Sequence, residues 1–136
     1  MAERGHRGVP HTADVRIEAW GPDRDGCLAE AVLGLADSVV DRSAAGPDRE
    51  RVAVPLAVES DVDLLVAALD EVIYRLDTRD QVPVEAEYAG GELRLDMADV
   101  HALPVIGPAP KAVTLHELEF GPTAGGGWRC SVTIDI

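Results

Sequence analysis

Basic residues are what this chain has least of relative to its needs as a nucleic-acid binder. Its 136 residues include 12 Lys and Arg against 25 Asp and Glu, a formal charge of −13. Affinity for RNA or DNA rests on cations that neutralise phosphates, so strong direct binding is not expected. The same charge repels an anionic membrane surface. Aromatic residues make up only 4% of the sequence, so the core must come from Val, Leu, Ile and Ala. The two cysteines, Cys27 and Cys130, fall outside any Cys-x-x-Cys spacing. That excludes a zinc knuckle or a disulfide framework and leaves both as small core residues. No apolar run approaches the length of a bilayer span, and the first residues carry no apolar stretch of a signal peptide. A cytoplasmic setting is the expectation. A Gly-x-x-x-x-Gly-Lys-Ser/Thr loop and a Gly-x-Ser-x-Gly elbow are also lacking. The glycines at 125–127 precede a strand, so they build no helix-terminal anion site. No nucleophile–base pair stands out, and an independent enzyme is not the favoured reading.

What is present reads as one domain over 10–136, preceded by a flexible lead over 1–9. Apolar and polar residues alternate over 12–20, the period of a half-buried strand. Gly21-Pro22-Asp23 ends that run, and Asp23 or Asp25 can cap a helix predicted over 26–41. Val52, Val54, Leu56 and Val58 alternate next, with Pro55 marking an edge strand or a bulge. Ser60 opens a capping box and a helix over 61–76, with Leu65, Ala68, Leu69, Val72, Ile73 and Leu76 as its buried stripe. Two further strands meet at Gly90-Gly91, a hairpin signal. A proline-rich loop over 101–110 leads to a strand over 111–120. There the apolar parity changes from Val113 and Leu115 to Leu118 and Phe120, which predicts a bulge near His116. A last strand places Cys130, Val132 and Ile134 on one face and Asp135 on the other. The order β, α, β, α, then β throughout, predicts an α+β fold: a mostly antiparallel mixed sheet with two helices packed on one face.

Two carboxylates sit on polar strand faces at opposite ends of the chain. Asp14 closes the run His11-Thr12-Ala13-Asp14, and Asp135 precedes Ile136, whose α-carboxylate adds another anion. Chain ends often lie close in single domains, and gathered carboxylates favour a hard divalent cation. Two solvated strand residues are the plainer alternative. The four histidines show no zinc spacing. His11 beside Asp14 could support a ligand or simply be a satisfied loop histidine. His116 and Lys111 share a strand with Thr114, and Lys111 could neutralise carboxylates, meet a phosphate, or merely be exposed. The set Asp14, Asp135 and Lys111 taken alone also permits a stand-alone metal-dependent hydrolase on a phosphorylated substrate. A chaperone-like interaction module is a third reading.

In register along the chain, His11-Thr12-Ala13-Asp14-Val15 with Ala19-Trp20-Gly21, the run 63–74, Lys111-Ala112-Val113-Thr114-Leu115-His116 and the ending Ile134-Asp135-Ile136 together resemble the archease family. The likeness departs at Leu115, where the family has Tyr, and in the prolines 104, 108 and 110. It implies a small acidic, non-enzymatic activator of an RtcB-type RNA ligase. Such a protein promotes GTP-dependent guanylylation of the ligase histidine and multiple turnover, in tRNA splicing or RNA repair. By that resemblance Asp14, Asp135 and Ile136 hold a divalent cation, calcium in relatives, with magnesium or manganese as alternatives. GTP belongs to the partner ligase. Lys111, His11 and His116 fall on motif positions and are expected to serve activation or partner contact. A C-terminal extension tests the terminal ligand: one residue appended after Ile136 is expected to weaken calcium binding in a calorimetric titration.

Overall fold

The computed structural model describes residues 3–10 and 14–136, with the side chain of Pro10 left out. The elements are β1 (Gly5–Pro10), β2 (Asp14–Gly21), α1 (Arg24–Asp37), β3 (Glu50–Pro55), α2 (Asp61–Arg79), β4 (Gln81–Ala89), β5 (Glu92–Asp99), β6 (Ala112–Pro122) and β7 (Trp128–Asp135). Single 3₁₀ turns at Arg42–Ala44 and Val100–Ala102 punctuate the connections. The α+β class with two helices is as the sequence predicts, but the strands divide into two antiparallel sheets. One has the order β1-β2-β7-β6 and the other β3-β5-β4. Helix α1 packs on β1, β2 and β7 of the first sheet and on β4 of the second, and α2 reaches both β6 and β4.

Local chemistry explains the elements. Asp23 caps α1 by accepting from the Gly26 N–H at 2.7 Å, which satisfies one of the orphan donors of a helix start. Ser60 does the same for α2, accepting from the Asp63 N–H at 3.0 Å. Gly90 and Gly91 both have positive φ (60° and 75°), as a tight hairpin between twisted strands requires. Pro55 lies on the edge strand β3, where a missing N–H costs no ladder bond. Cys27 and Cys130 are both buried, and the Cys27 thiol donates to the Ala19 carbonyl at 3.6 Å.

Helix α1 buries Cys27, Leu28, Ala29, Ala31, Val32, Leu33, Gly34, Leu35 and Ala36. Such burial all round is what a helix needs between two layers. The main core joins its Leu28, Val32 and Leu35 to Ile17, Val132 and Ile134 of the first sheet and Leu93, Leu95 and Met97 of the second. Gly34 permits a close approach of α1 to the first sheet: a Cβ there would meet Ile17 Cγ2 at 2.9 Å.

Two expectations need correction. Within the 1–9 segment read as a flexible lead, Gly5–Pro10 is a strand paired with β2 in the register Gly5↔Trp20 to Pro10↔Val15. Its own alternation is weak because two glycines occupy it, and the order comes from the β2 ladder and from side chains of α1. The Trp20 ring lies over Gly5, where a Cβ would meet it at 2.4 Å. Leu115, expected inward, is exposed. At the predicted bulge β6 advances from Thr114 to Glu119 while β7 moves only from Thr133 to Ser131. Glu117 takes φ 55° there, and the extra residues swing Leu115 and His116 out. The 101–110 segment is the loop that the prolines predict, and it is anchored to the exit of α1. Val105 bridges Val40, and the N–H groups of Ile106 and Gly107 both donate to the Val39 carbonyl, at 2.8 and 3.2 Å.

Gly107 sits so tightly on α1's exit that a Cβ would fall 2.0 Å from the Ser38 carbonyl oxygen. Backbone cannot yield as a side chain can. Gly107→Ala is expected to destabilise by about 1–3 kcal/mol, read as a lowered midpoint in urea unfolding, whereas Gly46→Ala, with open space around it, should leave the midpoint unmoved.

Candidate functional site

The two ends of the sequence meet in the first sheet. β2 and β7 run antiparallel in the register Asp14↔Asp135, Val15↔Ile134, Arg16↔Thr133 and Ile17↔Val132. Directly opposed residues share a face. Val15, Ile17 and Ala19 therefore meet Ile134, Val132 and Cys130 on the core side, and Asp14 meets Asp135 on the other. On the far side of β7, Ala112 pairs with Asp135, and the Lys111 N–H donates to the Asp135 carbonyl at 2.7 Å. Asp14, Asp135, Ile136 and Lys111 thus gather at one end of this sheet. Lys111 is the sole lysine of the sequence.

Asp14 and Ile136 both line a cavity of about 340 Å³, together with Val15, Ile106 and Pro108. Asp135 is not part of its wall and stands exposed beside it. One carboxylate oxygen of Asp14, Oδ1, is shielded from solvent. No three His, Cys, Asp or Glu side chains among the described residues are grouped to hold a metal ion. The carboxylates that the register brings together at this end are those of Asp14 and Asp135. Oxygen donors of this kind suit a hard cation and offer nothing to a soft one. His11 lies outside the described residues. His116 is 84% exposed on the β6 bulge, beyond the Thr114↔Thr133 pair, with Glu117 at 3.7 Å.

A second polar cluster, not anticipated from the sequence, surrounds His6. Its Nδ1 faces Glu30 Oε1 at 2.8 Å, and its Nε2 faces Asp37 Oδ2 at 2.5 Å. Arg4 holds Glu30 at 2.9 Å, and Arg42 holds Asp37 at 2.7 Å while donating to the Val84 carbonyl at 2.9 Å. The chain of charges links β1 to α1 and then to β4. The hydrogen bond to Asp37 raises the His6 pKa most; burial opposes it, and Glu30 adds to the rise. For Asp37, burial pushes the pKa up, but hydrogen bonds from His6 and Arg42 outweigh it and hold the carboxyl below its usual range. The only sequence signal was a basic cluster, Arg4-Gly5-His6-Arg7, in an otherwise acidic chain.

Among the described residues no helix is long and apolar enough to cross a membrane. The sequence matches the Archease protein family (MTH1598/TM1083) over residues 6–136. It is 46% identical over 136 residues to the "Probable protein archease" of Mycobacterium tuberculosis, covering 97% of this chain and 75% of that protein. It is 32% identical over 140 residues to the "Protein archease" of Archaeoglobus fulgidus, covering 96% and 98% of the two chains. The fold resembles the crystal structure of an archease from Thermotoga maritima, with TM-score 0.68, 22% identity and 94% of each chain covered. It also resembles the solution structure of Methanobacterium thermoautotrophicum protein 1598, with TM-score 0.66, 23% identity and 97% and 99% covered.

The His6 cluster carries a signed pH dependence. His6 has its pKa raised above 6.5 on folding, so its contribution is complete below 6.5 and is lost as pH rises through the folded value. Asp37 is lowered from 3.8, so its contribution is present above 3.8 and fades as pH falls through its folded value. Thermal melts across pH are expected to show a stability loss on the alkaline side of 6.5 that His6→Gln flattens. An unchanged slope in that variant would show that His6 does not carry it.

Proposed function

The chain belongs to the archease family, and from that premise we propose that it is a non-enzymatic protein cofactor of an RtcB-type RNA ligase, dependent on a bound divalent cation. In this reading it promotes GTP-dependent guanylylation of the ligase and multiple turnover, in tRNA splicing or RNA repair in the cytoplasm. The β2–β7 register carries the reading, because it sets Asp14 opposite Asp135 with Ile136 next in the chain. Asp14, Asp135 and the Ile136 carboxylate would hold the cation, and calcium, magnesium and manganese all accept such oxygen donors. The bound ion would neutralise the negative charge gathered there and offer a Lewis-acidic point to the partner.

The protein's own residues do the rest. The β2–β7 ladder fixes where the carboxylates stand, so little backbone ordering is left for metal binding. Lys111 is exposed and anchored through its backbone to Asp135, and its ammonium group would meet a phosphate or a carboxylate of the partner. His116 on the bulge and His11 before β2 are contact candidates of the same docking event. A formal charge of −13 favours a protein partner over direct RNA binding.

The test is ligase guanylylation with GTP and a divalent metal, with and without this protein. Asp14→Ala and Asp135→Ala are each expected to lower calcium affinity by at least about tenfold, the scale at which even supporting residues of metal sites act, and to abolish stimulation. Stimulation by both variants at the wild-type level would sink the proposal.

A further inference from the structure

Residues 104–107 form the tip of the segment that walls the Asp14–Ile136 cavity, and they are built unlike an ordinary loop. The Asp41 N–H donates to the Pro104 carbonyl at 3.0 Å, and Ile106 and Gly107 both donate to Val39. Val105 bridges Val40, a fully buried core residue. Leu103 and Pro110 are buried on either side, and Gly107 lies against the Ser38 carbonyl where no side chain would fit. Yet this clamped backbone holds Val105 and Ile106 out in solvent, 64% and 63% exposed. A single exposed aliphatic residue is ordinary. Two adjacent ones on a pinned backbone, continuous with the apolar cavity wall of Val15, Ile106 and Pro108, make a preformed contact.

We propose that Val105 and Ile106 are an apolar anchor that docks into a depression of a partner protein bordered by lysine or arginine side chains. This rests on the reading above that a protein partner engages this end of the sheet. The basic border follows from charge. Asp14 and Ile136 share the cavity with Ile106, and Asp135 lies opposite Asp14, with Lys111 bonded through its backbone to Asp135 at the same end. Complementary potential on a partner steers the encounter and fixes orientation. A second copy of this chain would bring −13 against −13, and nucleic acid or an anionic membrane would add like charge to like. Because the segment is already ordered, docking loses little further backbone freedom. Two side chains fall short of a full interface; they act as its anchor, with flanking contacts supplying the remaining area.

The experiment titrates the full chain into an RtcB-type ligase and reads guanylylation against activator concentration, for wild type and the double variant Val105→Ser/Ile106→Ser. Both side chains are exposed, so circular dichroism and the thermal midpoint should match wild type. The half-saturating concentration is expected to rise about tenfold, the size of effect a central apolar anchor carries, with the saturated rate unchanged. Raising ionic strength should weaken half-saturation of both proteins. Equal half-saturation for the two proteins overturns the anchor and leaves the parent reading standing. So does a loss confined to the saturated rate, which would place these residues in activation instead. A wild-type dimer in sedimentation that the double variant abolishes assigns the anchor to a second copy and overturns the partner named here. A wild type that neither binds nor stimulates the ligase overturns the anchor together with the reading it rests on.

Discussion

The antiparallel ladder between β2 and β7 is the constraint on which the rest of the molecule depends. It joins strands from opposite ends of the sequence, and its register fixes two things at once. On one face Val15, Ile17 and Ala19 meet Ile134, Val132 and Cys130 and floor the core. On the other, Asp14 meets Asp135. A slip of one residue would exchange the faces, putting carboxylates into the core and isoleucines into water. The packing free energy of the core therefore also holds the candidate site in register. Helix α1 lies on this floor, and the missing side chain at Gly34 lets it come down onto Ile17.

Charge is distributed with a similar economy. Several of the arginines are engaged in pairs that cross between elements: Arg4 with Glu30, Arg7 with Glu18, Arg24 with Asp61, and Arg42 with Asp37. These pairs bind the residue before β1 to α1, β1 to β2, and α1 to α2 and to the turn after it, so much of the scarce positive charge serves the fold. The acidic surplus is left for the surface. At the β2–β7 end it gathers around a cavity whose walls are largely apolar, and the one lysine of the sequence is tied to the same place. An apolar cavity wall thus lies beside the paired Asp14 and Asp135 on a rigid frame.

Particular residues show how far the sequence could be read. The caps Asp23 and Ser60, the Gly90-Gly91 turn, the edge position of Pro55 and the bulge before Glu119 were legible because each depends on local backbone chemistry. The second sheet was not legible, although α1 carried a sign of it. Its apolar and small residues run right round the helix, which fits burial between two layers better than a single stripe does. The strand at Gly5–Pro10 was hidden because its glycines carry no side-chain pattern. Its order comes from β2, from the Trp20 ring and from the carboxylates on α1 that hold His6.

The sequence by itself determined the class of fold, the helix caps and the alternation of β2 and β7, since alternation and capping act over a few residues. It also carried the family likeness, through motifs kept in order along the chain. Only the tertiary structure decided that Asp14 stands opposite Asp135, that α1 lies between two sheets, and that Val105 and Ile106 are held outward on a pinned backbone. Those are pairings between residues far apart in the chain. Their register is set by the packing of the whole core, which no local pattern encodes.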